Sequence, residues 1–304
     1  MKHEPLVGII VLHWTGVDDT RQCLNSLRAI GYSNRRLYLV DNASFDQGGV
    51  RLKDEFKSDV HFIRNQTNLG FAGGNNVGLR QALTDGCEFV LIINNDTTVK
   101  PDFLDRLVET ALADESIGLI GPKILSFEPK DKIWFSGGRI QWSSGVRIGH
   151  RGVGEADCGQ YDLTEPTDWL TGCCVLARRS AIEKAGLMPA EYFLYFEDVD
   201  WSVAIQRAGF KLVFEPRSVI WHKEASESAS FNPQKLYYQA RNYPQFVKRY
   251  ANRWQRIIFV VFFIVYYGQL MIRNLLAGRS KSIPMIWWGL QDYFRGRFGP
   301  MEVK

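Results

Sequence analysis

The run at 6–12, LVGIIVL, constrains the fold of this chain most, because seven consecutive positions carry no polar side chain. A strand with one face in water alternates polar and apolar residues, so an uninterrupted β-branched run predicts a strand covered on both faces of a parallel sheet. Shorter apolar runs recur at 37–40, 60–63 and 89–93. Between them lie segments of helical spacing, as at Cys23, Leu24, Leu27 and Ile30, with Asp18 or Asp19 placed to cap the helix. This alternation predicts an α/β fold with a doubly wound, mostly parallel sheet and helices on both faces. Further strands are expected at 117–120, 169–177, 212–214 and 219–221, a helix at 103–112, and a β-excursion in the Gly-, Ser- and aromatic-rich stretch 133–153.

Ligands of such sheets bind beyond the carboxyl ends of the strands, and polar residues concentrate there. The first strand ends in His13-Trp14-Thr15-Gly16 and the second in Asp41-Asn42-Ala43-Ser44. The third leads into 65–76, and the fourth ends in Asn94-Asn95-Asp96. Three oxygen-bearing side chains at a strand mouth suit a hard cation holding a diphosphate, which makes Asp96 a metal candidate against the simpler reading of a turn or cap. Asp41 sits where an acid contacts a bound nucleoside, and His13 is placed to line that pocket. The tract Gly70-Phe71-Ala72-Gly73-Gly74-Asn75-Asn76 neither follows the first strand nor has the G-x-G-x-x-G order, so a dinucleotide fingerprint is excluded. Its glycines beside a helix start would let backbone approach a phosphate.

Glu197, Asp198 and Asp200 form an acidic cluster behind the aromatic run 192–196. Acids of this kind decorate helix N-termini, but crowded carboxylates in a partly dry pocket also gain proton affinity and serve as general bases. His222 follows a strand and can be a structural residue or a ligand, while His3, His61 and His150 belong to no constellation. The absence of G-x-S-x-G, Walker A and H-E-x-x-H patterns removes serine hydrolases, P-loop enzymes and zincins.

Five cysteines without C-x-x-C spacing indicate neither a disulfide framework nor a zinc site. The apolar start without a basic leader is read as no secretory signal, which leaves the catalytic part cytoplasmic. From 248 to 304 there are 10 Lys and Arg against 2 Asp and Glu, leaving 27 against 31 in the remainder. That basic segment also holds the apolar run 257–267, which continues less purely to 272. Sixteen helical residues reach about 24 Å, less than the roughly 30 Å hydrocarbon core. The reading is a catalytic domain at 1–245 and a helical segment at 246–304 attached in monotopic fashion to the anionic cytoplasmic face of a membrane. A helical hairpin on the catalytic domain, or a homodimer contact, is the alternative. No nucleic-acid partner is expected.

Taken together, Val40-Asp41-Asn42-Ala43-Ser44, the Asn68 to Asn76 tract, Asn94-Asn95-Asp96 and Tyr195-Phe196-Glu197-Asp198-Val199-Asp200 resemble family 2 inverting glycosyltransferases, nearest to their bacterial rhamnosyltransferase-like branch. The resemblance implies a glycosyltransferase A-type fold, a nucleotide-sugar donor and Mg²⁺ or Mn²⁺. It makes Asp198 the catalytic base, Asp96 the surviving acid of the D-x-D metal position, and His222 a further metal ligand. Asp41, His13, Trp14, Asn68, Gly70, Gly73, Asn75 and Asn95 fall on the donor side. The chain departs from the pattern at Asn94, where the first acid of D-x-D is replaced, and at His13-Trp14-Thr15. The implied reaction is inverting transfer of a sugar, such as L-rhamnose from dTDP-rhamnose, to a glycan or lipid-linked glycan. A nucleotidyltransferase and a non-catalytic carbohydrate-binding protein are the competing readings.

Overall fold

The computed structural model describes residues 4–223 and 233–302. Its first third alternates β1 (Val7–His13), α1 (Val17–Arg28), β2 (Arg35–Asp41), α2 (Gly48–Phe56), β3 (Val60–Arg64), α3 (Gly70–Thr84) and β4 (Phe89–Asn94). There follow β5 (Thr97–Val99), α4 (Phe103–Ala113), β6 (Ile117–Ser126), β7 (Ile133–Phe135), β8 (Gly138–Gln141), β9 (Arg147–His150) and β10 (Glu165–Pro166). The remainder comprises β11 (Cys174–Arg178), α5 (Arg179–Ala185), α6 (Glu197–Arg207), β12 (Lys211–His222), α7 (Pro233–Tyr250), α8 (Arg253–Leu276) and α9 (Ser282–Phe294).

The main sheet runs β10-β12-β6-β11-β4-β1-β2-β3. β1 pairs in parallel with β2 and β4, and Ile9, Ile10 and Val11 are fully buried, as the opening run requires. Two glycines of α3 let that helix lie on β1: a Cβ at Gly78 would come within 2.7 Å of Ile10, and one at Gly74 within 2.5 Å of Leu12. β11 runs antiparallel between β4 and β6, which makes the sheet mixed rather than uniformly parallel.

Several local expectations are corrected. Asp18 and Asp19 lie in the first turn of α1, and the cap position is Gly16 with φ 78° and no side-chain bond. The two expected strands at 212–214 and 219–221 are one strand, β12, broken in register between Glu215 and Val219. The strand expected over 169–177 starts only at Cys174. Helix α8 spans 24 residues, about 36 Å, because flanking polar residues continue the helix beyond the apolar run. Position 245, the expected domain boundary, lies inside α7.

Candidate active site

The carboxyl ends of β1 and β2 are in register, His13 opposite Asp41. Asp41 is fully buried. Its Oδ1 accepts the Ser44 N–H at 2.8 Å, its Oδ2 lies 3.5 Å from Arg64 Nε without hydrogen-bond alignment, and a Cβ at Gly49 would come within 2.4 Å of it. Asn42 braces the neighbouring loop. It donates to Asn68 Oδ1 (2.8 Å) and to the Gly70 carbonyl (3.1 Å), and accepts from Asn65 and from the Leu69 N–H.

His13 Nδ1 lies 2.8 Å from the Thr20 hydroxyl, which also reaches the Gly16 carbonyl at 3.0 Å and accepts from Asn95 Nδ2 at 2.8 Å. Burial lowers the His13 pKa against the opposing pull of Asp41 and Asp46, which favours the neutral ring. Its Nε2 is buried without a partner. Asn95 also bonds the Thr15 carbonyl and thus fixes the loop beneath Trp14, which is half exposed. Asn75 is buried with its Oδ1 unpartnered, and its amide donates to the Phe71 carbonyl. The glycine tract was expected to admit a phosphate, but what crowds Gly70 is the Phe193 carbonyl, 2.4 Å from a Cβ there, and what crowds Gly73 is Leu69.

β12 brings His222 to the end of β4. It pairs antiparallel with β5, setting His222 opposite Thr97, and His222 Nε2 lies 3.1 Å from Asp96 Oδ1 without the alignment of a hydrogen bond. His222 Nδ1 also lacks a partner, and its ring stands edge-on to Trp134 at 4.6 Å. Burial raises the Asp96 carboxyl, but His222 and Lys223 outweigh it and the net pKa is lowered, so Asp96 is held ionised. Among the described residues no group of three or more His, Cys, Asp or Glu side chains is placed to hold a metal, so Asp96 and His222 stand as a pair.

Asp198, the second residue of α6, is tied to the same strand end. Asn94 N–H donates to the Cys173 carbonyl (2.8 Å), and the adjacent Gly172 N–H donates to Asp198 Oδ2 (3.0 Å). Oδ1 accepts the Val199 N–H at 2.8 Å. Although protein atoms surround it, Asp198 keeps partial exposure, whereas Glu197 is buried with Oε2 unpartnered. Burial raises the Asp198 pKa, and the two N–H bonds and nearby His150 oppose this without cancelling it. Glu197 is raised well above its ordinary range by burial and by Asp198. Asp200, grouped with them in the sequence, is a structural residue: it accepts from Tyr192, Tyr250 and Arg249 at 2.6–2.8 Å.

The sequence reading missed His150, at the end of β9. The hairpin of β8 and β9 sets its ring 5.0 Å from Trp134 and 5.1 Å from Trp169, in an aromatic row that continues from Trp134 to His222. A depression of about 450 Å³ bounded by Arg28, Arg35, Arg36 and His61 lies at the opposite end of β2 and β3. Arg28 and Arg36 there are committed to Asp59 and Asp85, so the carboxyl-end residues are the better site.

A mixed sheet with acids and asparagines gathered at the carboxyl end of its central strands is the glycosyltransferase A-type architecture. Residues 9–186 match the family described as Glycosyl transferase family 2, and the chain belongs to that family. The match ends before α6, so Asp198 and His222 lie outside it. The chain is 21% identical to the low-salt glycan biosynthesis hexosyltransferase Agl10 of Haloferax volcanii, over 97% of this chain and 93% of that protein. It is 28% identical to the N-acetylglucosaminyl-diphospho-decaprenol L-rhamnosyltransferase of Mycobacterium tuberculosis, over 62% of this chain and 66% of that one. In fold it resembles the mannosyltransferase PcManGT from Pyrobaculum calidifontis in complex with GDP-Man and Mn²⁺, with a TM-score of 0.60, 14% identity and coverage of 96% and 88%.

Proposed function

We propose that this glycosyltransferase transfers a hexose with inversion, assisted by a divalent cation, from a nucleotide diphosphate to a hydroxyl of a lipid-linked glycan. The observation that carries the reading is Asp198: a partly exposed carboxylate of raised proton affinity, joined through Gly172 and Cys173 to the strand end that leads to Asp96. Asp198 takes the proton of the acceptor hydroxyl as that oxygen bonds to the anomeric carbon, and the bond from that carbon to the diphosphate breaks. The residues fit a cation, since Asp96 Oδ1 lacks a hydrogen bond and faces His222 Nε2. Asp96 and His222 would hold Mg²⁺ or Mn²⁺, and such an ion would supply positive charge against the departing diphosphate. Asp41, His13 and Arg64 receive the nucleoside. The lipid-linked acceptor and an L-rhamnosyl donor are supported by the rhamnosyltransferase relative.

A thermal-shift panel of dTDP-L-rhamnose, UDP-N-acetylglucosamine, UDP-galactose and GDP-mannose, each with and without Mn²⁺, tests donor use. One donor is expected to raise the melting midpoint by several degrees only with the cation; at 100 times Kd, binding adds about 2.7 kcal/mol. No shift from any of the four would count against the reading.

The membrane is supported by α8. Phe259, Phe263 and Tyr267 form one buried seam, and Ile257, Val260, Val261, Ile264, Val265 and Ile272 are exposed. Such a patch marks an interaction surface. At about 36 Å the helix is long enough to cross a bilayer, but its seam and Asn274 are held against protein along its length, which favours lying in the interface over spanning. Arg253, Arg273, Arg279, Lys281, Arg295 and Arg297 provide positive charge for an anionic leaflet. The intact protein should float with vesicles containing anionic lipid, less so in high salt, and Val261→Asp with Ile264→Asp should abolish flotation while leaving the melting midpoint unchanged. Flotation unaffected by both charges would remove α8 from this role.

A further inference from the structure

The segment that delivers Asp198 is conformationally unfavourable by itself. Phe193, Tyr195 and Phe196 adopt φ of 63°, 67° and 78°, a region that side chains with a Cβ rarely occupy, and Glu197 and Asp198 follow at once. Strain of this kind persists only where surrounding structure over-determines it.

What holds it is a pair of adjacent, buried residues of α7. Asn242 is fully buried, and its amide nitrogen is within donating distance of three carbonyls of the strained turn: Tyr192 (3.1 Å), Leu194 (2.9 Å) and Tyr195 (2.8 Å). Arg241, also buried, donates from Nε to Asn242 Oδ1 at 2.9 Å. Because a guanidinium can only donate, this bond fixes which end of the amide is oxygen and turns its N–H groups toward the turn. The same arginine donates to the Tyr192 carbonyl (2.8 Å) and to the Gly299 carbonyl (2.7 Å), while Gly299 N–H bonds the Glu191 carbonyl (3.0 Å). One helical turn and more along α7, Arg249 and Tyr250 grip Asp200, two residues beyond Asp198. The turn reaches the donor side as well, since Phe71 N–H, at the start of α3, donates to the Phe193 carbonyl at 2.7 Å.

We infer that Arg241 and Asn242 are positioning residues for the reaction, holding the 192–196 turn in the conformation that presents the Asp198 carboxylate to the acceptor. The inference rests on the assignment of Asp198 as base. The two N–H groups of the Asn242 amide face three carbonyls, of which Tyr192 also accepts from Arg241 and from the Leu194 N–H, so removing the amide takes a buried donor from the Leu194 and Tyr195 carbonyls that packing alone does not replace. It also makes α7 and the 298–301 stretch part of the catalytic unit instead of an appendage.

The test compares Asn242→Ala, Arg241→Lys, Asp198→Asn and, as a control on the same helix, Gln245→Ala, a half-buried residue whose side chain makes no hydrogen bond to Arg241, Asn242 or the 192–196 turn. Transfer is measured with dTDP-L-rhamnose and an N-acetylglucosaminyl diphosphoprenol, and amide hydrogen exchange is followed by mass spectrometry. Asn242→Ala should lower kcat at least tenfold, with the donor KM within threefold of wild type, and exchange should quicken in 192–198 and not in β1 or β4. Gln245→Ala should leave kcat unchanged. Arg241→Lys, which keeps the charge but loses the Nε donor, should lower kcat by threefold or more, and this variant decides the matter if Asn242→Ala does not fold. Faster exchange in 192–198 with kcat equal to that of the Gln245→Ala control overturns the inference. Unchanged turnover in Asp198→Asn would instead overturn the base assignment. Absence of transfer by wild type would indict the donor, and unchanged exchange in Asn242→Ala would then still overturn the clamp.

Discussion

Asp198→Asn should lower the rate of sugar transfer by about 10²–10⁴-fold, the range general-base catalysis supplies, while donor affinity changes by less than about threefold. The amide fits the space of the carboxylate and can still accept one backbone N–H, so the start of α6 is retained, but it cannot take a proton. Glu197 is no substitute, because it is buried with Oε2 facing no partner, and Asp200 is saturated by Tyr192, Tyr250 and Arg249. The pH profile carries the same signature. A base must be ionised, and burial raises its pKa, so the rate should climb with pH along a limb lying above the 3.8 of an ordinary aspartate. Kinetics from pH 4 to 9 with parallel calorimetry of donor binding checks both parts. Turnover of Asp198→Asn within about tenfold of wild type would remove Asp198 from the role.

Asp96→Ala should cost on the order of 10²-fold or more in kcat/KM, equivalent to about 2.7 kcal/mol of lost stabilisation where charge develops on the leaving diphosphate. His222→Ala should act in the same direction. The chemistry separates a ligand role from a structural one: loss of a ligand raises the Mn²⁺ or Mg²⁺ concentration needed for half-maximal rate, whereas loss of packing against Trp134 lowers the melting midpoint without moving that concentration. Chelator-treated wild type should be inactive and recover on adding the cation. Full activity after chelation would contradict the cation's part in the reaction and return His222 to a structural role.

These residues differ in how visible they are in the sequence. The buried runs of β1, β2 and β4 are legible because covering both faces forces an apolar composition, and their carboxyl ends then mark where Asp41 and Asp96 belong. Asp198 is visible as one of three acids, but which of the three is free is not. That is decided by Arg249 and Tyr250 on α7, which claim Asp200 from 50 residues away. The approach of His222 to Asp96 depends on β12 doubling back against β5, a pairing between segments 125 positions apart that no local spacing encodes. His150 was passed over for the same reason, since its ring neighbours are assembled by a hairpin. The glycines of α3 were read as making room for phosphate, whereas close contact with Leu12, Ile10 and Phe193 uses most of them. Arg241 and Asn242 carry no motif at all, and their role follows only from the carbonyls of a strained turn converging on one amide.

The configuration at the anomeric carbon of the product tests the central claim most directly. With the donor selected by thermal shift, the anomeric proton coupling and carbon shift of the glycoside formed under single-turnover conditions can be read by NMR and compared with those of the donor sugar. A single displacement driven by Asp198 predicts the opposite configuration in all of the product formed. Product that retains the configuration of the donor would contradict the account, since a single displacement from the face opposite the departing diphosphate cannot give it.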